Sequence, residues 1–233
     1  MINHSPASAG DASGRFYISV IFPKWTNQIP FLIPIGLALV GGAVAAGVTV
    51  YCTPKNTRVG YQPVQPVNFS HSIHADQLGL DCRYCHSAVE KSWYSNVPSS
   101  STCMNCHNQV LKDDPRLALI RESAQSGKPI PWVQVHKVPD FVYFNHSVHV
   151  NRGVSCVHCH GEINKMEEVY HAKPLSMTFC LDCHRNPAPN LRPKDKITQL
   201  DWIPRDHLPE DWGKKAVKDW NVNASQNCSA CHR

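Results

Sequence analysis

The sequence predicts one N-terminal membrane-spanning helix, followed by a domain of short helices and long loops packed on something other than its own side chains. Three observations predict this. One run of residues is long, apolar and uncharged; aliphatic residues are sparse after residue 60; and one cysteine–histidine motif recurs five times. The 233 residues suit one or two domains. Charged residues make up 18%, low for a soluble protein. The chain carries 11 Cys, 14 His and 18 Pro, and the cysteine pattern decides the chemistry.

The apolar run reads IPFLIPIGLALVGGAVAAGVTVY from Ile29 to Tyr51, 23 residues without a charge. A helix rises 1.5 Å per residue and about 20 apolar residues cross a bilayer core. Gly36, Gly41, Gly42 and Gly47 would weaken a soluble helix but are common in membrane helices. Pro30 and Pro34 stand in the first turns, where a missing amide donor costs least. A cleaved signal peptide would have a shorter apolar region and a shorter leader than the 28 residues here. Cys52 reads as a free thiol near the interface, because Thr49, Val50 and Tyr51 do not form the small-residue approach of a lipid-attachment site. Arg15 and Lys24, offset by Asp11, lie before the run and Lys55 and Arg58 after it; this balance gives no orientation.

The repeated motif is C-x-x-C-H. Its copies are Cys82–His86, Cys103–His107, Cys156–His160, Cys180–His184 and Cys228–His232. Two thiols at this spacing suit thioether bonds to the two vinyl groups of one haem, and the following histidine falls beneath the iron. The cofactor-binding residues are therefore Cys82, Cys85, Cys103, Cys106, Cys156, Cys159, Cys180, Cys183, Cys228 and Cys231. The proximal iron ligands are His86, His107, His160, His184 and His232. Cys82, Cys85, Cys103 and Cys106 also have zinc-ribbon spacing, but a ribbon does not call for a histidine after the second cysteine. Redox pairs fail the same test. Structural disulfides fail because ten of the eleven cysteines fall in this one pattern. The implied cofactor is five covalently bound haem c.

Nine histidines remain, and two segments of them match. Phe69-Ser70-His71-Ser72-Ile73-His74 precedes the first motif, and Phe144-Asn145-His146-Ser147-Val148-His149 precedes the third. Each is followed by a glycine, Gly79 or Gly153, before its motif. This internal repeat divides the domain into modules at about 64–135 and 136–233 and marks His71, His74, His146 and His149 as distal ligands. For a fifth distal ligand the candidates are His136, ahead of the second module, and Met177, three residues before Cys180; a thioether ligand would raise its haem's potential. His171 and His207 are weaker candidates, His158 lies inside its own motif, and His4 precedes the membrane run.

Between first cysteines the spacings are 21, 53, 24 and 48, so close pairs alternate with wide gaps. Helical pieces are expected at 73–80, near 115–125 with Pro115 at its start, and at 210–220. Prolines punctuate the rest. The stretch 186–220, rich in proline, charge and tryptophan, is expected to wrap the fourth haem or to dock a partner. The fold class is a multihaem cytochrome c, mostly short helices and loops around a haem stack, with one N-terminal transmembrane helix. The formal charge of +5 does not imply nucleic acid: the propionates of five haems, together with the net positive charge of each oxidised iron porphyrin, bring it to about zero.

The runs NFSHSIHADQLGLDCRYCHSAVE (68–90), VHKVPDFVYFNHSVH (135–149) and MTFCLDCHRNP (177–187) resemble the pentahaem cytochrome c subunit of alternative complex III, over nearly the whole chain. That resemblance implies an electron-transfer subunit of a quinol-oxidising membrane complex. Its partners would be iron–sulfur, monohaem c and quinol-binding subunits. Its acceptor would be a soluble cytochrome c, a blue-copper protein or a terminal oxidase. It implies distal ligation by His71, His74, His136, His146 and His149. Because c-type haem is attached outside the cytoplasm, residues 1–28 are expected in the cytoplasm, 29–51 as a transmembrane helix in a bacterial inner membrane, and 52–233 in the periplasm. The other resemblance is to membrane tetrahaem quinol dehydrogenases that feed soluble periplasmic reductases, which have one haem fewer. A multihaem nitrite reductase is disfavoured, because no C-x-x-C-K motif occurs and six-coordinate irons leave no open site for a substrate.

Overall fold

The computed structural model describes residues 22–52 and 58–232. The sequence readings on His4, Asp11, Arg15 and Lys55 lie outside the described residues. The chain divides into two units, Met1–Val50 and Tyr51–Arg233.

In the first unit a 3-10 turn, Lys24–Gln28, leads into helix α1, Ile29–Cys52. The 24-residue helix is about 36 Å long at 1.5 Å per residue, enough to cross a bilayer core. It continues one residue past the predicted span. Pro34 lies inside it, near enough to the start that few carbonyls lose a donor. None of its residues is buried, and Phe31, Leu37, Leu39 and Val40 stand open along it. Such a surface is stable only under an apolar cover. The most apolar 18-residue stretch within Trp25–Cys52 has a mean hydropathy of 2.2, so the segment has the length and composition of a single-pass membrane anchor.

The second unit holds only short helices. They are α2 (Cys82–Cys85), α3 (Ser100–His107), α4 (Ala118–Ser126), α5 (His146–Val150), α6 (Cys156–His160), α7 (Met177–Arg185), α8 (Trp212–Asp219) and α9 (Cys228–Cys231). Among the described residues there is no sheet; extended pairing is limited to two isolated bridges, Val142 with His232 and Val154 with Leu191. The three helical pieces expected from the sequence are present. Residues Ser72–Gln77 form a π turn, Pro115 opens the 3-10 turn before α4, and α8 covers the third.

Local capping explains why these helices begin where they do. Asp81 accepts from the amide of Arg83, Ser176 from Phe179 and Asn227 from Ser229. A short polar side chain before the first turn satisfies donors that the helix cannot. The two cysteines of every motif lie in one helix, about one turn apart, and His86 and His232 follow just after the last turn.

The side-chain core is thin. Buried apolar residues among those described are Val67, Ile120, Val135, Val150, Met166, Leu191, Ile197, Leu200 and Ala216. A unit of this length with so few is not held together by aliphatic packing alone. The best-packed part is the stretch after the fourth motif. Gly213 of α8 approaches the Ala188 carbonyl so closely that an added Cβ would lie 2.2 Å away. Trp220 abuts Gly153, whose φ is +86°, and Arg192 donates its amide to the Gly153 carbonyl at 2.8 Å. The 186–220 stretch therefore packs against the segment ahead of the third motif, rather than only around the fourth as the sequence suggested.

Candidate haem-binding site

The two repeated histidine segments fold into the same cradle. Phe69 stacks on His74 (centroids 4.4 Å, 24° between planes) and meets His71 edge-on (4.9 Å, 88°). Phe144 stacks on His149 (4.6 Å, 27°) and meets His146 edge-on (4.8 Å, 87°). His74 Nδ1 pairs with the carbonyl of Ser70 at 2.8 Å, and His149 Nδ1 with that of Asn145 at 2.7 Å. Beyond each histidine, Leu80 and Val154 return their amides to the carbonyls of His74 and His149. Gly79 (φ +67°) and Gly153 (φ +86°) supply the left-handed turn that allows this return. The sequence showed the phenylalanines as letters of a pattern; their part in fixing both imidazoles is visible only in three dimensions.

Hydrogen bonds to Nδ1 extend to most of the predicted ligands. His86 pairs through Nδ1 with the Asn96 carbonyl (2.7 Å), His107 with Val110 (3.0 Å), His184 with Ser225 (2.6 Å), His232 with Phe141 (3.2 Å) and His146 with Trp93 (2.8 Å). An Nδ1–H donated to a carbonyl fixes the tautomer and leaves the Nε2 lone pair free for a metal. His71 and His160 lack such a partner, and their buried Nδ1 atoms are unpaired.

The imidazoles are brought together in pairs. His74 faces His107 with centroids 6.2 Å apart, His149 faces His184 at 6.2 Å, and His146 faces His160 at 6.4 Å. A metal–nitrogen bond of about 2 Å on each side sets two trans imidazole centroids roughly 6 Å apart. His86 is also close enough to His71 to disfavour a proton on it. His136 is different. It packs edge-on against His160 at 4.3 Å and lies 5.1 Å from His171; the first spacing is too short to admit an iron between them. Met177 stands exposed at the start of α7 and is not on the cavity wall that the paired histidines share. His171 is fully buried with neither ring nitrogen paired, and His207 stacks on Trp202 at 5.2 Å.

Burial keeps these imidazoles neutral. It lowers His71 and His136 to about 4, with smaller contributions from neighbouring histidines, and drives His160 well below its usual value. A neutral ring is the ligating form. Burial also raises the thiols of Cys85, Cys103, Cys180 and Cys183, and pushes Cys159 up to about 11. At these five cysteines thiolates, the form that zinc binding and disulfide exchange require, are thus disfavoured, whereas a hydrogen bond with Cys156 lowers Cys82. All eleven thiols are free. Among the described residues no three His, Cys, Asp or Glu converge on one point, so Cys82, Cys85, Cys103 and Cys106 form no ribbon-like centre.

Between the paired rings and the motif cysteines runs a continuous cavity of about 2880 Å³, well beyond the roughly 300–1,000 Å³ of a pocket for one ligand. Its wall includes Phe69, Tyr84, Trp93, Val97, Ile120 and Phe144, a surface suited to flat apolar rings. Thiols in pairs, imidazoles paired about 6 Å apart and an apolar volume of this size fit haem c. No pattern of residues marks the strap at Ile197-Thr198, which holds the residues before two motifs. Ser155 Oγ donates to the Ile197 carbonyl at 2.6 Å, and Thr198 Oγ1 donates to Asp81 Oδ2 at 2.8 Å. A short polar residue directly before a C-x-x-C pair was the only available signal.

A family model described as cytochrome c7 and related cytochrome c matches residues 67–126 and 142–233. The multihaem cytochrome c subunit of menaquinone reductase from Nitratidesulfovibrio vulgaris (Hildenborough) is 29% identical in an alignment covering 67% of this chain and 80% of that protein. The acrylate reductase cytochrome subunit of Shewanella woodyi is 29% identical over 48% of this chain and 68% of that protein. With the motifs, the facing histidines and the matched family in place, the chain belongs to the cytochrome c7 and related cytochrome c family, and is a multihaem c-type cytochrome.

Proposed function

We propose that this chain is the electron-transfer subunit of a membrane quinol:acceptor oxidoreductase of the alternative complex III type, carrying five covalent haems on the periplasmic face of a bacterial inner membrane. The observation that carries this reading is the facing of imidazoles at 6.2 Å in the pairs His74–His107 and His149–His184. An iron held on both sides has no open position for a substrate, so its work is to take and give electrons. The residues of the chain bind each haem at one edge, orient it through Nδ1–carbonyl bonds, and exclude water with aromatic walls.

The ligand assignment follows the repeat. His71 serves the first motif, His74 the second, His146 the third and His149 the fourth. For the fifth iron, on His232, the groups left from the sequence set are His136 and Met177. Cys180 of α7 neighbours Cys231, which sets the helix bearing Met177 beside the fifth motif and favours the thioether. M177L then abolishes the weak near-red-edge band of a His–Met haem in the oxidised spectrum; with His136 as ligand the variant has the parent spectrum. The menaquinone-reductase relative supports a link to quinone chemistry in a multisubunit complex, with iron–sulfur, monohaem and quinol-binding partners. The acrylate-reductase relative favours a second reading, a membrane quinol dehydrogenase that feeds a soluble periplasmic reductase.

Intact mass of the denatured chain, with quinol-driven reduction of the membrane complex, tests the reading. The expected mass is the chain plus five haems, with quinol reducing low-spin haem. Fewer than five haems, or no reduction by quinol, would overturn it.

A further inference from the structure

The five motifs are not arranged in space as they are in sequence. Tyr84, inside the first motif, accepts a hydrogen bond from Asn105, inside the second, at 3.0 Å. The first motif also adjoins the third. The residue before Cys82 is Asp81 and the residue before Cys156 is Ser155, and adjacent residues of one strap hold both: Thr198 donates to Asp81 at 2.8 Å and Ser155 donates to Ile197 at 2.6 Å. The strap is anchored in turn, since the buried Arg192 donates to the Gln199 carbonyl at 2.8 Å. Asn151, ahead of the third motif, donates to Glu90, just after the first, at 2.8 Å. Within the second module, α5 places His146 before His160 and His149 before His184, so one turn of helix spans the third and fourth sites. The fourth reaches the fifth through His184, whose Nδ1 meets the carbonyl of Ser225 at 2.6 Å in the lead-in to α9.

Resting on the five-haem reading above, we propose that the haems form one path in the spatial order second, first, third, fourth, fifth motif, with the two modules joined edge to edge at Cys82 and Cys156 under the Ile197-Thr198 strap. A motif cysteine carries its sulfur at the rim of the ring it binds, so two such cysteines side by side bring two rims together. Thr198 and Ser155 are positioning residues: they touch no haem, but fix the distance across that joint. The first and third haems are the crossing point, and the second and fifth are the ends through which electrons enter or leave. Sequence order would instead cross between modules from the second motif to the third.

The test uses the intact membrane complex with haem-deletion variants C82A/C85A, C103A/C106A and C228A/C231A, and the strap variant T198V. Denatured mass first reports the haem count; an unsubstituted chain below five haems defeats the five-haem reading, and the order is then not at issue. Soret circular dichroism reads excitonic coupling between neighbouring rings, and rapid-mixing reduction reads how electrons spread. C103A/C106A and C228A/C231A each lose one coupling component and keep a single kinetic phase. C82A/C85A loses two components, and the second-motif haem drops out of the fast phase. T198V keeps all five haems but loses the component that links the modules, one of the two missing in C82A/C85A; if C82A/C85A yields no folded complex, T198V decides alone. If C103A/C106A cuts the modules apart, or T198V retains every component, the proposed order is wrong.

Discussion

Phe144 lies over His149 with its ring centroid 4.6 Å from the imidazole and the planes 27° apart. The same ring meets His146 edge-on. One aromatic side chain therefore fixes two histidines that point to two different partners, and Phe69 repeats the arrangement for His71 and His74.

Equivalent geometry should give equivalent loss. H74A and H149A should each convert one low-spin haem to a high-spin or water-ligated form while leaving the haem count unchanged. Electron paramagnetic resonance of the oxidised complex would show the change. F144L should retain low-spin ligation but broaden the signals of two sites, because both rings lose their support. A parent-like spectrum in both H74A and H149A would refute the repeat as a ligand cradle.

The cap ahead of the first motif carries a pH signature. The Arg83 guanidinium holds Asp81 down to about 2 against an ordinary 3.8, with help from Thr198. Because the folded value is the lower one, the contribution is present above pH 3.8 and is lost as pH falls through about 2. Asp81 is largely solvated, so its ion pairs add little. Loss of the cap in D81A should cost about 1 kcal/mol at neutral pH. Acid unfolding followed by the Soret band should show this difference constant from neutrality to about pH 4 and shrinking below it.

Gly79 and Gly153 occupy matched positions with different surroundings. A Cβ at Gly79 meets nothing within 4 Å, whereas at Gly153 it would lie 2.7 Å from both the Arg192 carbonyl and Trp220. G79A should cost about 1 kcal/mol for its left-handed backbone alone. G153A should cost more, about 2–3 kcal/mol, since the Arg192 backbone cannot retreat without losing its bond to residue 153. Thermal melts of the holoprotein would rank them, and equal losses would contradict the packing described for Trp220.

Topology can be read with protease. Covalent haem attachment requires the domain beyond α1 to be exported. Protease added to intact spheroplasts should remove the haem domain and spare a tag placed before Ile29. The reverse pattern would rule out a periplasmic location.

Much of this was legible in the sequence because the constraints are local. The spacing of Cys82 and Cys85 to His86, or of His71 to His74, is written within one turn of chain. The length and apolarity of α1 are likewise properties of consecutive residues. What the sequence did not show is long-range. Nothing near Thr198 announces a bond to Asp81, and nothing near Trp93 announces that its carbonyl will orient His146. The 186–220 stretch was expected to wrap the fourth haem or to dock a partner, and nothing in it announces that Trp220 closes on Gly153. His136 stood among the distal ligands by position, yet it packs edge-on to a proximal histidine.

The thinness of the aliphatic core has a consequence for how the cell makes this protein. With nine buried apolar side chains among the described residues of the second unit, the polypeptide alone gains little by becoming compact, while ordering its long loops carries a large entropy cost. Covalent attachment of its cofactors is then also the folding step, in the way that metal binding folds small metal-dependent domains. A copy that is not fully matured remains open to proteolysis. Supply of the cofactor thereby acts as a checkpoint, and the abundance of the chain should track haem availability even when its own synthesis is constant.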